Sequence, residues 1–188
     1  MLYHFLYPLR DAFFAFNVFK YITFRSAYAT VTALLLSFFV GPWIIRRLRD
    51  WKARQLIRTD GPESHLTKAG TPTMGGILIV GSIVVPTLLW ANLENRYVWL
   101  VLLSTVWLGA LGFLDDYLHV IRKAPKGLLG RYKLLGQITL GVLVGSVLAF
   151  SPKDPVVATM TNVPFLKDRY LDFGFLYIPF VTLVITAR

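Results

Sequence analysis

The chain has no cysteine among its 188 residues, and only 16% of its residues are charged. The lack of cysteine excludes disulfides and thiolate chemistry. A soluble domain has about 25% charged residues, so the low charge argues against a water-soluble fold. Residues 1–16 also lack the lysine-rich start and small-residue cleavage site that define a signal peptide. What remains is an apolar chain that carries twice as many basic as acidic side chains.

The apolar residues lie in long blocks. Cutting the sequence at its charged residues leaves runs of 20, 25, 18, 19 and 15 residues, which are 26–45, 69–93, 97–114, 134–152 and 173–187. A helix needs about 20 mostly apolar residues to cross the hydrocarbon core of a bilayer. We therefore predict an all-α polytopic transmembrane helix bundle. It forms a single membrane domain over residues 1–188, with spans at about 21–48, 74–90, 97–116, 131–150 and 173–188.

Local signals refine this outline. Gly41-Pro42 predicts a kink packed against a neighbouring helix, because proline removes a backbone donor. Trp90, Tyr97 and Trp99 bracket one turn, like an aromatic belt at a membrane interface. Residues 1–16 suit a short interfacial helix, or else an ordinary extramembrane tail. The proline-punctuated loop over residues 151–172 is predicted to be irregular, with a short hairpin as one alternative.

The basic residues predict the orientation. Loops 46–73 and 116–133 together hold 12 Lys and Arg, whereas turn 91–96 and loop 153–172 hold 4. Lys and Arg are retained on the cytoplasmic side. We therefore expect the N-terminus outside and the two basic loops on the cytoplasmic side. Retention of Lys and Arg in the cytoplasmic loops explains most of the +10 net charge. A nucleic-acid partner would need a basic folded surface, and we do not expect one.

The sequence GFLDDY over residues 112–117 places Asp115 and Asp116 at the cytoplasmic end of an apolar run. Carboxylates there are costly if they face lipid. Mg²⁺ prefers one or two carboxylates together with phosphate oxygens and waters, so the pair suits phosphoryl transfer from a diphosphate. Consecutive helical side chains point about 100° apart, so the two cannot chelate in parallel. The alternative is that both cap the helix and meet the basic loop that follows it, although a carboxylate at a helix C-terminus opposes the macrodipole.

The stretch DGPESHLTKAGTPTMGG over residues 60–76 is dense in turn formers, hydroxyls and ionisable groups, and it leads into a predicted helix. Lys68 is a flexible charge suited to a diphosphate. Thr71 and Thr73 precede a helix N-terminus that can bind phosphate, although Thr73 equally suits an N-cap. Gly75 and Gly76 permit close approach of a ligand or, more commonly in membranes, of another helix. His65 either contacts substrate or, more commonly, is simply solvated.

The segment at residues 119–133 alternates basic and apolar residues. Such a segment can attract a lipid phosphate. Retention of positive charge on the cytoplasmic side explains it as well, and we favour that simpler interpretation.

Together these motifs resemble the bacterial phospho-N-acetylmuramoyl-pentapeptide transferases, within the polyprenyl-phosphate N-acetylhexosamine-1-phosphate transferases. The resemblance rests on residues 60–76 and 112–117, and also on FNVF at 16–19, YITFR at 21–25 and KGL at 126–128. It implies a Mg²⁺-dependent transferase on the cytoplasmic face of a bacterial inner membrane. Undecaprenyl phosphate would attack UDP-N-acetylmuramoyl-pentapeptide, giving lipid I and UMP for peptidoglycan synthesis, cell shape and cell division.

The resemblance also implies roles for particular residues. Asp115 and Asp116 map to the acidic pair, as metal ligands and catalytic residues, and Lys68 maps to the active-site lysine. Thr73 maps near the nucleotide. An aspartate is either the base that deprotonates the lipid phosphate or a covalent nucleophile. The expected partners are both substrates and membrane lipid, and a homodimer is left open.

Two departures qualify this resemblance. His119 stands where the family often has lysine, and we assign it no role because histidine is only partly charged near neutrality. The family has about ten membrane helices, so we expect this chain to be the N-terminal half, without one metal-site aspartate and inactive alone. The alternatives are a transferase that uses UDP-N-acetylglucosamine and a non-catalytic membrane protein that binds lipid phosphate.

Overall fold

The computed structural model describes residues 2–11, 13–50, 75–120, 122, 127–150, 159–162 and 170–187. The chain divides into two compact units, residues 1–128 and 129–188. In the first unit, helix α1 spans Leu2–Leu6, and 3-10 helices span Tyr7–Asp11 and Phe14–Lys20. Three further helices follow: α2 at Ile22–Asp50, α3 at Gly76–Trp90 and α4 at Arg96–Val120. The predicted all-α class is confirmed.

Three of the described helices are long and apolar enough to cross a membrane: Ile22–Leu48 within α2, Arg96–His119 within α4, and Gly130–Phe150. Two shorter apolar helices lie at Gly76–Trp90 and Gly174–Thr186. Large apolar side chains on the long helices are widely exposed, among them Phe38, Phe39 and Val101. Such surfaces suit contact with lipid. The described chain is thus a polytopic set of apolar helices.

Helices α2 and α3 pack through small and hydroxyl residues. The Oγ atoms of Ser37 and Ser82 lie 3.1 Å apart. Gly41 is buried, and a Cβ there would lie 3.3 Å from the side chain of Leu78. Small residues let apolar helices approach closely where no hydrophobic force drives them together. Gly41 therefore packs against a neighbouring helix as predicted, and α2 continues through Pro42.

The opening segment packs on the turn between α3 and α4. The Leu93 N–H donates to Nε2 of His4 at 3.2 Å, and Nδ1 of His4 lies 3.6 Å from the Glu94 carboxylate. The ring of Phe19 stacks on Trp90 with centroids 6.0 Å apart. The predicted aromatic turn therefore packs against the opening segment. That segment forms several short helices and not a single helix.

The second unit is built around two helices. Helix α5 spans Gly130–Phe150 and α6 spans Tyr177–Thr186, with a short 3-10 helix at Gly174–Leu176 before α6. Between them, strand β1 at Met160–Asn162 pairs antiparallel with β2 at Tyr170–Asp172. The hairpin is the alternative that the proline-rich sequence left open.

A hydrogen-bonded carboxylate closes this hairpin. Thr159 Oγ1 donates to Asp172 Oδ1 at 2.6 Å, and the Gly174 N–H donates to the same oxygen at 2.9 Å. The hydrogen bond from Thr159, and then that from Gly174, stabilise the charged carboxylate. Together they lower the pKa of Asp172 from its usual value.

Candidate functional site

Asp115 and Asp116 lie near the end of α4, and both are half-buried. The helix continues one turn past its predicted end at Asp116 and ends at Val120. Tyr117, Leu118 and His119 contain no helix breaker, so nothing in the local sequence stops the helix at the pair. The carboxylates therefore stand inside the last turns of a helix and do not terminate it.

Asp115 is held by the chain that returns after α4. The Leu128 N–H donates to Asp115 Oδ1 at 2.9 Å. Gly127 has φ of +56°, and a Cβ at this position would lie 2.7 Å from the same oxygen. Only glycine adopts this backbone region routinely. The carboxylate of Asp115 therefore bonds a neighbouring segment and does not cap its own helix.

A cavity of about 460 Å³ lies between α3 and α4, and both carboxylates line it. The rest of its lining is apolar or glycine: Gly76, Ile77, Val80, Val106, Gly109, Ala110, Gly112 and Phe113. A pocket with apolar walls and a few convergent polar groups is the usual form of a ligand site. The structure thus brings the aspartate pair and the start of α3 into one pocket.

Gly75 is the N-cap of α3 and Gly76 is its first residue, and both are exposed. A Cβ at either position would meet no atom within 4 Å. By contrast, a Cβ at Gly109 of α4 would lie 2.7 Å from Val80 of α3. Gly109 is therefore the glycine at which α3 and α4 pack closely. The two predicted glycines have no atom near the position of a Cβ, and Gly76 lines the cavity.

The other predicted site residues lie outside the described residues, and their roles stay predictions: His65, Lys68, Thr71 and Thr73. Gly127 and Leu128 are contacts of the site that sequence reasoning missed, because their basic loop was explained by topology alone. A glycine inside that loop was the one available signal, and glycine often marks positive φ.

The described residues contain no group of three or more His, Asp and Glu side chains that could hold a metal ion. The aspartate pair remains suitable for Mg²⁺, which needs only one or two protein carboxylates when phosphate oxygens and waters complete its shell. Two half-buried carboxylates beside an open cavity fit that donor set.

Fold and site together define a polytopic helical membrane protein with a carboxylate pair at one end of an apolar pocket. The family model for phospho-N-acetylmuramoyl-pentapeptide-transferase signature 1 matches residues 68–80. The chain belongs to the phospho-N-acetylmuramoyl-pentapeptide transferase family, as the similarity of its whole length to curated members also shows.

Three relatives, each named phospho-N-acetylmuramoyl-pentapeptide-transferase, illustrate this similarity. Over 187 residues the chain is 57% identical to the protein of Geobacter sp. strain M21. It is 56% identical to that of Citrifermentans bemidjiense and 55% identical to that of Pelobacter propionicus. Each alignment covers 100% of this chain and 51% of the relative. The chain therefore spans about half the length of the curated relatives it matches.

Proposed function

We propose that this chain carries the Asp115–Asp116 part of the active site of a transferase that makes lipid I. Undecaprenyl phosphate is the proposed acceptor, UDP-N-acetylmuramoyl-pentapeptide the donor and UMP the leaving group. The observation that carries the proposal is the pair of half-buried carboxylates lining one cavity. The product would supply peptidoglycan synthesis, and through it cell shape and division.

In the proposed reaction an oxygen of the lipid phosphate attacks the phosphorus attached to the sugar. A new P–O bond forms there, while the P–O bond to UMP breaks and UMP leaves with that electron pair. Asp115, Asp116 or both would hold Mg²⁺, and the bound ion would neutralise charge on the diphosphate. The Leu128 N–H restrains Asp115, which supports a fixed role for it, while Lys68 is proposed to bind the diphosphate.

We further propose that this site faces the cytoplasm of a bacterial inner membrane, with the N-terminus outside. The bias of Lys and Arg between loops supports this orientation. The nucleotide donor is water-soluble and the acceptor is a lipid, so a cavity at the end of α4 suits their meeting at the interface. Thr71, Thr73 and His65 are proposed to contact the nucleotide-sugar.

A hybrid protein tests the proposal. This chain replaces the matching 187 residues of the Geobacter relative, and UMP release is measured in membranes with both substrates and Mg²⁺. We expect Mg²⁺-dependent release, lowered at least about 10²-fold by Asp115→Asn, because such groups contribute about 10²–10⁴-fold to catalysis. Glu94→Gln is the matched control, since Glu94 lies at the turn between α3 and α4, away from the cavity lining. It should leave the rate unchanged.

Three outcomes contradict parts of the proposal. Release that persists in Asp115→Asn removes the role of Asp115. Faster turnover of UDP-N-acetylglucosamine than of the muramoyl-pentapeptide donor makes the chain a different transferase of the same type. No release from the hybrid, with the intact relative active in parallel, favours a non-catalytic membrane protein.

A further inference from the structure

A second cavity, of about 330 Å³, lies among the short helices that precede α2. Its lining residues are Tyr7, Arg10, Phe14, Asn17 and Lys20. Two of these side chains are cationic, and Asn17 and Tyr7 add an amide and a phenol that donate hydrogen bonds. None of the five is acidic. The cavity therefore presents the donors and positive charge that bind a phosphate group.

The guanidinium of Arg10 is oriented by an aromatic ring. It lies 4.5 Å from the centroid of Tyr7 and also donates a hydrogen bond to the Tyr7 hydroxyl. Tyr7 in turn stacks on Tyr3, with centroids 5.3 Å apart. A planar guanidinium fixed in this way loses less freedom when it binds a phosphate oxygen than a mobile side chain does.

The second cation comes from a different element. Lys20 is the last residue of the 3-10 helix at Phe14–Lys20, where the free carbonyls of a helix end favour positive charge. Nearby Arg25 lies over the ring of Tyr3, at 4.6 Å, and does not line the cavity. Arg10 and Lys20 are therefore the two cations among the lining residues of this cavity.

Exposed apolar side chains are frequent in the short helices that line this cavity and at the start of α2. Phe14 is 85% exposed, Phe5 71% and Phe13 59%. Tyr21 and Ile22, at the start of the spanning helix α2, are also exposed. Tyr side chains at the end of a membrane span lie at the level of the lipid head groups, and Lys and Arg extend their charged groups to the same layer. We therefore expect this cavity at the level of the lipid head groups, with exposed apolar side chains of the same segment available to acyl chains.

We propose that this cavity binds the phosphate of an anionic phospholipid. Its two cations would attract the negatively charged phosphate, and the exposed apolar side chains of the same segment would lie against the acyl chains. The site is distinct from the pocket of Asp115 and Asp116, so the proposal stands independently of the transferase reaction.

Native mass spectrometry of the purified chain in detergent tests the proposal. The probes are phosphatidylglycerol and phosphatidylcholine with identical acyl chains. A basic residue near a membrane surface contributes about 1 kcal/mol to binding of anionic lipid, or about fivefold in affinity. We therefore expect about thirtyfold preference for phosphatidylglycerol, lowered about fivefold by Lys20→Gln and abolished by Lys20→Gln combined with Arg10→Gln.

Two control variants keep the test specific. Lys20→Arg retains the charge and should retain the preference, which separates loss of charge from damage to the fold. Arg96→Gln removes a cation that begins α4 and does not line the cavity, and it should leave the preference unchanged. Equal binding of the two lipids, or equal losses from Arg96→Gln and Lys20→Gln, would overturn the proposal. Displacement of phosphatidylglycerol by an equal concentration of inorganic phosphate would instead make the cavity a site for free phosphate.

Discussion

At the scale of single residues, Gly127 is the position where the candidate site depends most directly on backbone geometry. Its φ of +56° places the chain so that the N–H of Leu128 reaches Asp115. Any side chain at this position meets two obstacles. Left-handed backbone costs about 1–2 kcal/mol for a residue with a Cβ, and that Cβ would lie 2.7 Å from Asp115 Oδ1.

We expect Gly127→Ala in the hybrid protein to lower the rate of UMP release by about tenfold or more. The carboxylate must move to admit the new methyl group, and misplacement by about 1 Å can cost on the order of 10²-fold in rate. The measurement is kcat and KM for the nucleotide donor, and the loss should fall on kcat.

Gly174→Ala is the matched control for this prediction. Gly174 also has positive φ, +44°, but a Cβ there would meet no atom within 4 Å. This variant bears the same backbone cost without touching Asp115, so we expect its rate to stay within about twofold of the parent. Similar losses in the two variants would show that backbone strain alone, and not the position of Asp115, lowers the rate.

At the scale of elements, small residues set how closely the helices approach. In the second unit, a Cβ at Gly141 of α5 would lie 2.7 Å from the Thr182 backbone in α6, and one at Gly145 would lie 3.3 Å from Ile178. Backbone cannot rotate away as a side chain can. Contact between α5 and α6 therefore depends on glycine at these positions.

We expect Gly141→Ala to lower the thermal midpoint of the purified chain, because overpacking costs about 1–3 kcal/mol. The comparison is Gly81→Ala, in the middle of α3, where a Cβ meets no atom within 4 Å. Alanine there gains up to about 1 kcal/mol of helix propensity, so its midpoint should stay equal or rise. The measurement is loss of helical circular dichroism on heating in detergent. Equal midpoints for the two variants would contradict the packing role of Gly141.

At the scale of the whole molecule, charge patterning makes orientation testable. The chain has no cysteine, so a single introduced cysteine is the only thiol. Glu94 lies in the turn between α3 and α4 and is exposed. Arg122 follows α4 and is exposed as well. The proposed orientation places these two positions on opposite faces of the membrane.

We expect a membrane-impermeant maleimide to label Glu94→Cys on intact bacterial cells and to label Arg122→Cys only after the membrane is opened. Labelling is measured as the mass added to the purified chain. The reverse pattern would place the aspartate pair outside, where a cytoplasmic nucleotide donor does not reach it.

Much of the architecture was predictable from sequence because it depends on local composition. Long charge-free runs predicted the long helices, since a chain in lipid must satisfy its own backbone hydrogen bonds. The pair at Asp115 and Asp116 was also visible, because carboxylates at the end of an apolar run are costly without a partner. The end of α4 was less predictable, since no breaking residue separates Asp116 from Val120.

The amino-acid sequence by itself determined the helical membrane class, the family and the candidate carboxylates. Only the tertiary structure decided which groups meet: the Leu128 N–H with Asp115, Gly109 with Val80, and Arg10 with Lys20 around one cavity. The physical reason is the distance along the chain over which each effect acts. Composition and periodicity govern the backbone within a few turns, whereas these contacts join segments whose approach depends on side-chain packing between helices and on one backbone angle at Gly127.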